Sequence, residues 1–161
     1  MICIRKNVFE TNSSSTHSVT IGGGAEPSTL IFTCDDITNW EEGIVIDTVG
    51  FCGWNNHDTQ EEKLAYLMQQ IAYINGFHDI FWSSPSEERL QEFYECDDFK
   101  ELEEAICEYT GAKCLRFGNL GGYIDHDSIV YDINELKDEI NSSYVTFVFS
   151  SDSYVHFEFC G

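Results

Sequence analysis

Residues 58–76 read DTQEEKLAYLMQQIAYING and contain a complete helix signal. Asp58 and Glu61 form a capping-box pattern, in which each side chain can bind a backbone N–H group at the helix start. Gly76 supplies a stop. The apolar residues between them recur at helical spacing and are Leu64, Leu67, Met68, Ile71 and Ile74. The stretch therefore predicts one amphipathic helix near the middle of the chain.

Three further helix starts follow this stretch. Ser84 precedes Pro85, which suits a first helical position. A third helix is predicted to begin near Asp97 or Asp98 and to end at Gly111. A fourth is predicted over residues 132–141, after another Asp-x-x-Glu start. We therefore expect about four helices, mostly in the middle of the chain.

The remaining apolar runs have the length of strands. Before the helices they lie at residues 19–21, 30–33 and 44–46. After the helices begin, strands are predicted near residues 113–117, 123–124, 129–131, 144–149 and 154–159. The last two are expected to form a hairpin, with residues 150–153 as its turn. This order predicts an α+β fold with a largely antiparallel sheet.

The chain has 161 residues, which suits a single domain spanning residues 1–161. With 29 acidic and 8 basic residues, its formal net charge is −21. Binding to nucleic acid requires clusters of lysine and arginine, so this charge argues against direct contact with nucleic acid. No apolar window reaches the ~18 residues of a membrane span, and no signal peptide is visible. We expect a soluble, intracellular protein without a membrane partner, whose oligomeric state the sequence does not indicate.

Acidic residues are most concentrated between Glu87 and Glu108. Ten acids lie there, opposed only by Arg89 and Lys100. Such density favours a surface that meets a positively charged protein, although a merely solvated helix face has the same pattern. The candidate partner-binding residues are Glu92, Glu95, Asp97, Asp98, Glu101, Glu103, Glu104 and Glu108.

The seven cysteines offer two interpretations. Their odd number and the lack of a signal peptide argue against a disulfide framework. They are then either small buried side chains or metal ligands. No Cys-x-x-Cys pair occurs, so a zinc site would join distant segments, and its candidate ligands are Cys34, Cys52 and His57. Such a zinc ion would be structural.

A catalytic interpretation rests on two histidines. His17 follows a run of hydroxyl side chains, and His126 stands between Asp125 and Asp127. If His17 and His126 converged, they would suit a metal-dependent hydrolase. No nucleophile elbow and no phosphate-binding glycine loop is present, so we expect no enzyme.

Residues 5–18, RKNVFETNSSSTHS, resemble the opening of a family of small phage and prophage proteins. Gly53-Trp54 followed by residues 61–67 is similar to the entry of that family's central helix. Residues 123–128 resemble its aspartate-histidine motif, with Asp127 where the family usually has glutamine. Residues 147–154 resemble its closing hairpin. These landmarks extend over most of the chain.

The resemblance implies a phage origin, an α+β fold and a location in the cytoplasm of a bacterial host. Some small acidic phage proteins are anti-CRISPR inhibitors of the type II RNA-guided nuclease, and at least one such inhibitor binds zinc. Together with the charge, this predicts an inhibitor that binds a basic surface of a type II CRISPR effector and blocks nucleic-acid loading. The alternatives are the hydrolase and an acidic phage protein of structural or regulatory role.

Overall fold

The computed structural model describes residues 16–22, 43–51, 55–124 and 128–160. The strands are β1 (Thr16–Gly22), β2 (Ile44–Ile46), β3 (Asn55–His57), β4 (Leu115–Phe117) and β5 (Tyr154–Cys160). The helices are α1 (Gln60–Ile74), α2 (Glu87–Glu95), α3 (Asp97–Thr110), α4 (Ile133–Ile140) and α5 (Tyr144–Phe149). A short 3₁₀ turn spans His78–Phe81.

The fold mixes helices and strands, as predicted, but its strands do not form one largely antiparallel sheet. In the described part of the chain they form two small sheets. The first is antiparallel in the order β1-β5-β3, and the second pairs β2 with β4 in parallel. The prediction was wrong because the helices α1, α2 and α3 separate β2 from β4, and such a long crossover permits parallel pairing.

The helix α1 lies at the centre of the fold. Thr59, rather than the predicted Asp58, is its N-cap, and Thr59 and Glu62 complete the capping box. Eleven of its fifteen residues are buried, so it is enclosed rather than amphipathic. The chain leaves the helix through Gly76, whose φ of 76° is left-handed.

The next two helices begin close to the predicted residues, and the second of them also ends where predicted. Ser86, two residues beyond the predicted Ser84, caps α2 by accepting a hydrogen bond from the Arg89 N–H group. The helix α3 begins at Asp97 and ends at Gly111, whose φ is 79°. The two helices share Cys96 as their junction.

The largest correction concerns residues 144–149, which form α5 instead of the first strand of a hairpin. Residues 115–117 and 154–159 do lie in strands. Residues 129–131 form no strand, and Ile124 makes only an isolated bridge to Phe51. The predicted strand at residues 30–33 lies outside the described residues.

Apolar side chains from α1 to α5, β2, β4 and β5 form one buried cluster. Near it, the segment after β2 is held against the segment after β4, where Thr48 N donates to Asn119 O at 3.0 Å and Phe51 N to Tyr123 O at 2.8 Å, and against α1. The buried Gln69 side chain accepts from Val49 N at 2.9 Å and donates to Val49 O at 3.0 Å. No helix among the described residues is long and apolar enough to cross a membrane.

Candidate functional site

The exposed face of α3 carries a line of four carboxylates, which we call the acidic stripe: Asp97, Glu101, Glu104 and Glu108. Their spacing of four, three and four residues places them on one side of a helix that turns about 100° per residue. The opposite side is buried, through Phe99, Leu102, Ile106 and Thr110. The sequence pattern of this segment therefore aligns four carboxylates on one exposed helix face, with the exposed Lys100 beside them.

Two predicted partner-binding residues flank the stripe and bind within the fold. The Asp98 carboxylate accepts a hydrogen bond of 2.9 Å from the Asn75 side chain at the end of α1. The Glu103 carboxylate accepts from Leu115 N at 2.9 Å and from the Arg116 guanidinium at 2.5 Å. Asp98 and Glu103 thus attach α3 to its neighbours and are less suited to contact a partner.

The remaining two predicted residues lie on the exposed side of α2. Arg89 donates to Glu92 at 2.9 Å, and Gln91 donates to Glu95 at 2.9 Å. Arg89 also binds Asp79 through two hydrogen bonds. That contact lowers the pKa of the Asp79 carboxyl.

Among the described residues, the cations Arg89, Arg116 and Lys137 offset part of the negative charge, and each also lies near an aromatic ring. The Arg89 guanidinium is 4.3 Å from the centre of the Phe77 ring, and that of Arg116 is 4.5 Å from the Tyr94 ring. Lys137 binds Glu101 at 2.7 and 2.8 Å. Among the described residues, Asp97, Glu104 and Glu108 make no ion pair. The stripe thus remains strongly anionic.

The predicted metal ligand His57 ends β3 and is 5% exposed. Its Nδ1 atom lies 3.0 Å from the Glu62 carboxylate. Although burial acts to raise the Glu62 pKa, hydrogen bonds from His57 and Thr59 lower it. The His57 Nε2 atom is buried and has no hydrogen-bond partner among the described residues. A carboxylate on one ring nitrogen, with the other nitrogen unpartnered among the described residues, is compatible with a metal-binding histidine.

The other two predicted ligands, Cys34 and Cys52, lie outside the described residues. Within the described ranges, no group of three or more metal-binding side chains occurs. Cys96, Cys107 and Cys114 are half-buried thiols. Burial raises the pKa of the Cys107 thiol to about 11, which keeps it protonated and unreactive.

The catalytic interpretation requires the side chains of His17 and His126 to lie close together, and the structure does not describe either side chain. His126 lies outside the described residues, and His17 is described only as part of the backbone of β1. The hydrolase therefore stays a prediction.

The sequence did not indicate an exposed aromatic side chain beside α2. Trp82 is 65% exposed, and its ring lies 5.5 Å from that of Tyr123. Trp82 borders an open cleft of about 540 Å³ together with Pro85, Leu90 and Asn119. An exposed tryptophan is a frequent anchor in protein interfaces, but tryptophan in sequence usually indicates burial.

No protein-family model matches the chain, and neither a curated protein nor a solved structure matches it.

Proposed function

We propose that this protein is an inhibitor that binds, through the acidic stripe, a basic surface where another protein normally holds nucleic acid. The observation that carries the proposal is the alignment of Asp97, Glu101, Glu104 and Glu108 on one exposed helix face. The N-terminal resemblance to phage proteins makes a type II CRISPR effector nuclease the first partner to test. By binding there, the protein would block the loading of guide RNA or target DNA onto the effector.

The charge spacing of the stripe supports competition with nucleic acid. With a rise of about 1.5 Å per residue, its four carboxylates extend over roughly 16 Å, or about one charge per 5.5 Å. One strand of a duplex carries a charge about every 3.4 Å. On a rigid helix, the stripe therefore presents a line of negative charges to a basic groove. The spacing of these charges is of the same order as that of the phosphates in a nucleic-acid strand.

The stripe would act mainly on the rate of association. Exposed ion pairs each contribute less than about 1 kcal/mol, so they cannot supply high affinity alone. A coherent charged surface does accelerate encounter with an oppositely charged one, and this effect weakens as salt rises. Tight binding would also need buried anchors, for which Trp82 is one candidate.

The test is a binding assay with a purified, guide-free type II effector. We expect the double variant Glu104→Lys and Glu108→Lys to bind at least about tenfold more weakly, since it reverses two charges of the stripe that make no ion pair in the described part of the chain. The control is Asp138→Lys with Asp152→Lys, which changes net charge equally at exposed positions outside the stripe. Glu101 and Glu103 are left unchanged because they bind Lys137 and Arg116.

Equal weakening by both double variants would mean that overall charge, not the stripe, governs binding. If the wild-type protein did not bind the effector, a type II CRISPR nuclease would be excluded as its partner. Capture of no basic nucleic-acid-binding protein from host lysate would then favour an acidic phage protein of structural or regulatory role.

We further propose a structural zinc ion bound by the Nε2 atom of His57, with Cys34 and Cys52 as the thiolate ligands. Support comes from the orphaned, buried Nε2 atom and from the Glu62 carboxylate that orients the ring. Zinc would fix the imidazole and thiolates in a tetrahedral arrangement and so stabilise the fold.

Elemental analysis of protein purified without chelators tests the zinc proposal. We expect about one zinc per chain, falling below about 0.1 in His57→Gln. The matched control is His78→Gln at an exposed histidine, which should keep its zinc. A metal-free wild-type protein would contradict the proposal.

A further inference from the structure

A cavity of about 330 Å³ opens between α3, α4 and the start of α5, beside the acidic stripe. Its apolar lining comes from Ala105, Ile140, Val145 and the ring of Tyr144. Glu101 and Lys137 add one charge of each sign. Cavities with mostly apolar walls and a few polar groups are typical binding sites for ligands or for inserted side chains.

Tyr144 lines this cavity, and its hydroxyl group is unexplained. Tyr144 is 6% exposed, and its hydroxyl oxygen is buried without a hydrogen-bond partner among the described residues. Such a group costs folding free energy unless something binds it. Burial, followed by the negative charges of Glu101 and Asp98, raises the Tyr144 pKa, so the hydroxyl stays protonated.

Lys137 shows what chemistry the cavity accommodates. Its ammonium group pairs with Glu101 and lies 5.9 Å from the centre of the Tyr144 ring. A carboxylate beside an aromatic face is a receptor for a cation. The side chains of Lys137 and Glu101 are 38% and 53% exposed, so the pair can part without unfolding.

We propose that this cavity receives an arginine side chain of the protein bound by the acidic stripe. The guanidinium would pair with Glu101, lie over the Tyr144 ring and donate a hydrogen bond to the Tyr144 hydroxyl. Its carbon stem would contact Ala105, Ile140 and Val145. The identity of the protein that supplies this arginine rests on the proposed function. The ability of the cavity to bind an arginine side chain does not.

Arginine fits these features better than lysine. Its planar guanidinium stacks on aromatic rings, offers five N–H donors and is less strongly hydrated than an ammonium group. The Glu101 carboxylate and the Tyr144 hydroxyl together supply acceptors in two directions. Basic grooves that hold nucleic acid are rich in arginine, so the partner proposed above would present such side chains.

The experiment is an NMR titration of the full-length protein with the peptide acetyl-Gly-Arg-Gly-amide. We expect saturable chemical-shift changes that are largest at Ala105, Tyr144 and Val145. The lysine analogue of the peptide should bind at least about threefold more weakly. Glu101→Gln should weaken arginine binding at least about fivefold, whereas Glu104→Gln, one turn away, should change it less than twofold.

A second variant fills the cavity without changing charge. Ala105→Phe should abolish the arginine-dependent shifts, and Tyr144→Phe should weaken binding while leaving the ring in place. If Ala105→Phe failed to fold, Glu101→Gln would still decide, because Glu101 is exposed. Shifts centred on Asp97, Glu104 and Glu108 instead of the cavity, or equal binding by Ala105→Phe, would overturn the proposal.

Two other outcomes identify a different occupant. Equal binding of the lysine peptide would overturn the assignment of arginine. A small molecule that remains bound in native mass spectrometry, and is lost in Ala105→Phe, would assign the cavity to a metabolite instead. Failure of the proposed function is distinguishable: stripe variants would then leave partner binding unchanged while the arginine peptide still binds wild-type protein.

Discussion

At the scale of single residues, Lys63 is the most unusual side chain of the fold. It is 1% exposed and lies on α1, yet the oxygens that its ammonium group contacts among the described residues are all uncharged. It donates to Ser150 O at 2.6 Å, to Ser153 Oγ at 3.0 Å and to Ser153 O at 3.4 Å. Burial lowers the Lys63 pKa to about 8, against the opposing effect of Asp58. Lys63 thereby joins α1 to the turn between α5 and β5.

Lys63→Met should destabilise the protein at pH 7 by about 1–3 kcal/mol, because the oxygens of Ser150 and Ser153 lose a donor. The folded protein releases the Lys63 proton near pH 8, whereas the unfolded chain holds it to about pH 10.4. The unfolded state thus binds more protons between these values, and this lysine adds stability as the pH rises. The difference in unfolding free energy between wild type and variant should therefore grow from pH 7 to pH 10 in urea titrations. A difference that shrinks over that range would contradict the lowered pKa.

At the scale of elements, the helix boundaries show what local sequence can and cannot specify. Asp58 and Thr59 are both good caps, and each is followed three residues later by glutamate. The structure selects Thr59 because Glu62 can then bind both the cap and His57. His57 lies only five residues before Glu62, at the end of β3, so the choice between two adjacent caps depends on how this strand leads into the helix. The glycine stops at Gly76 and Gly111 were predictable because their left-handed φ is a local requirement.

The helix α5 was not predictable from its composition. Tyr144–Phe149 reads YVTFVF, which is rich in aromatic and β-branched residues and favours a strand. Ser143 nevertheless caps a helix there by accepting from Thr146 N at 3.1 Å. Asn141, with a φ of 47°, has already turned the chain out of α4. Five of the six residues of α5 are buried, so packing overrides propensity in this segment.

The close contact between Gly122, which follows β4, and Val49, which follows β2, can be tested by substitution. A Cβ atom at Gly122 would lie 2.5 Å from backbone atoms of Val49, whose position Gln69 fixes by two hydrogen bonds. Gly122→Ala should therefore lower the unfolding free energy by about 1–3 kcal/mol. A Cβ atom at the adjacent Gly121 would meet no described residue within 4 Å, so Gly121→Ala should change stability by less than about 0.5 kcal/mol.

Urea denaturation of these two alanine variants makes the comparison. If Gly121→Ala and Gly122→Ala were equally stable, Gly122 would lie farther from the backbone of Val49 than the structure shows.

At the scale of the whole molecule, the net charge of −21 is unevenly compensated. Arg89, Arg116 and Lys137 bind Glu92, Glu103 and Glu101 within the fold. The outer face of α3 keeps three acids without an ion pair among the described residues: Asp97, Glu104 and Glu108. Excess like charge opposes the compact state, and dissolved salt relieves this repulsion.

The melting temperature should therefore rise by several degrees when sodium chloride is raised from about 0.01 M to about 0.15 M, which shortens the Debye length from about 30 Å to about 8 Å. The double variant Glu104→Gln and Glu108→Gln should melt higher than wild type at low salt and respond less to added salt. Differential scanning fluorimetry at pH 7 measures both effects. A melting temperature that falls with salt would show that the internal ion pairs outweigh the repulsion.

The candidate site was predictable from sequence only in part. Helical spacing alone places Asp97, Glu101, Glu104 and Glu108 on one face. The residues that bind their neighbours come from distant segments, as Arg116 does for Glu103, and no local pattern indicates such pairs. The cavity at Tyr144 has the same origin, because three helices meet there.

The enclosed position of α1 has a consequence for how the molecule opens. Solvent reaches an amide in a buried helix only when the surrounding elements detach, so the α1 amides should exchange with deuterium only on global unfolding. The outer turns of α3, which face water on one side, should exchange through smaller local fluctuations. The surface proposed for recognition would then open locally while the helix at the centre of the protein stays folded.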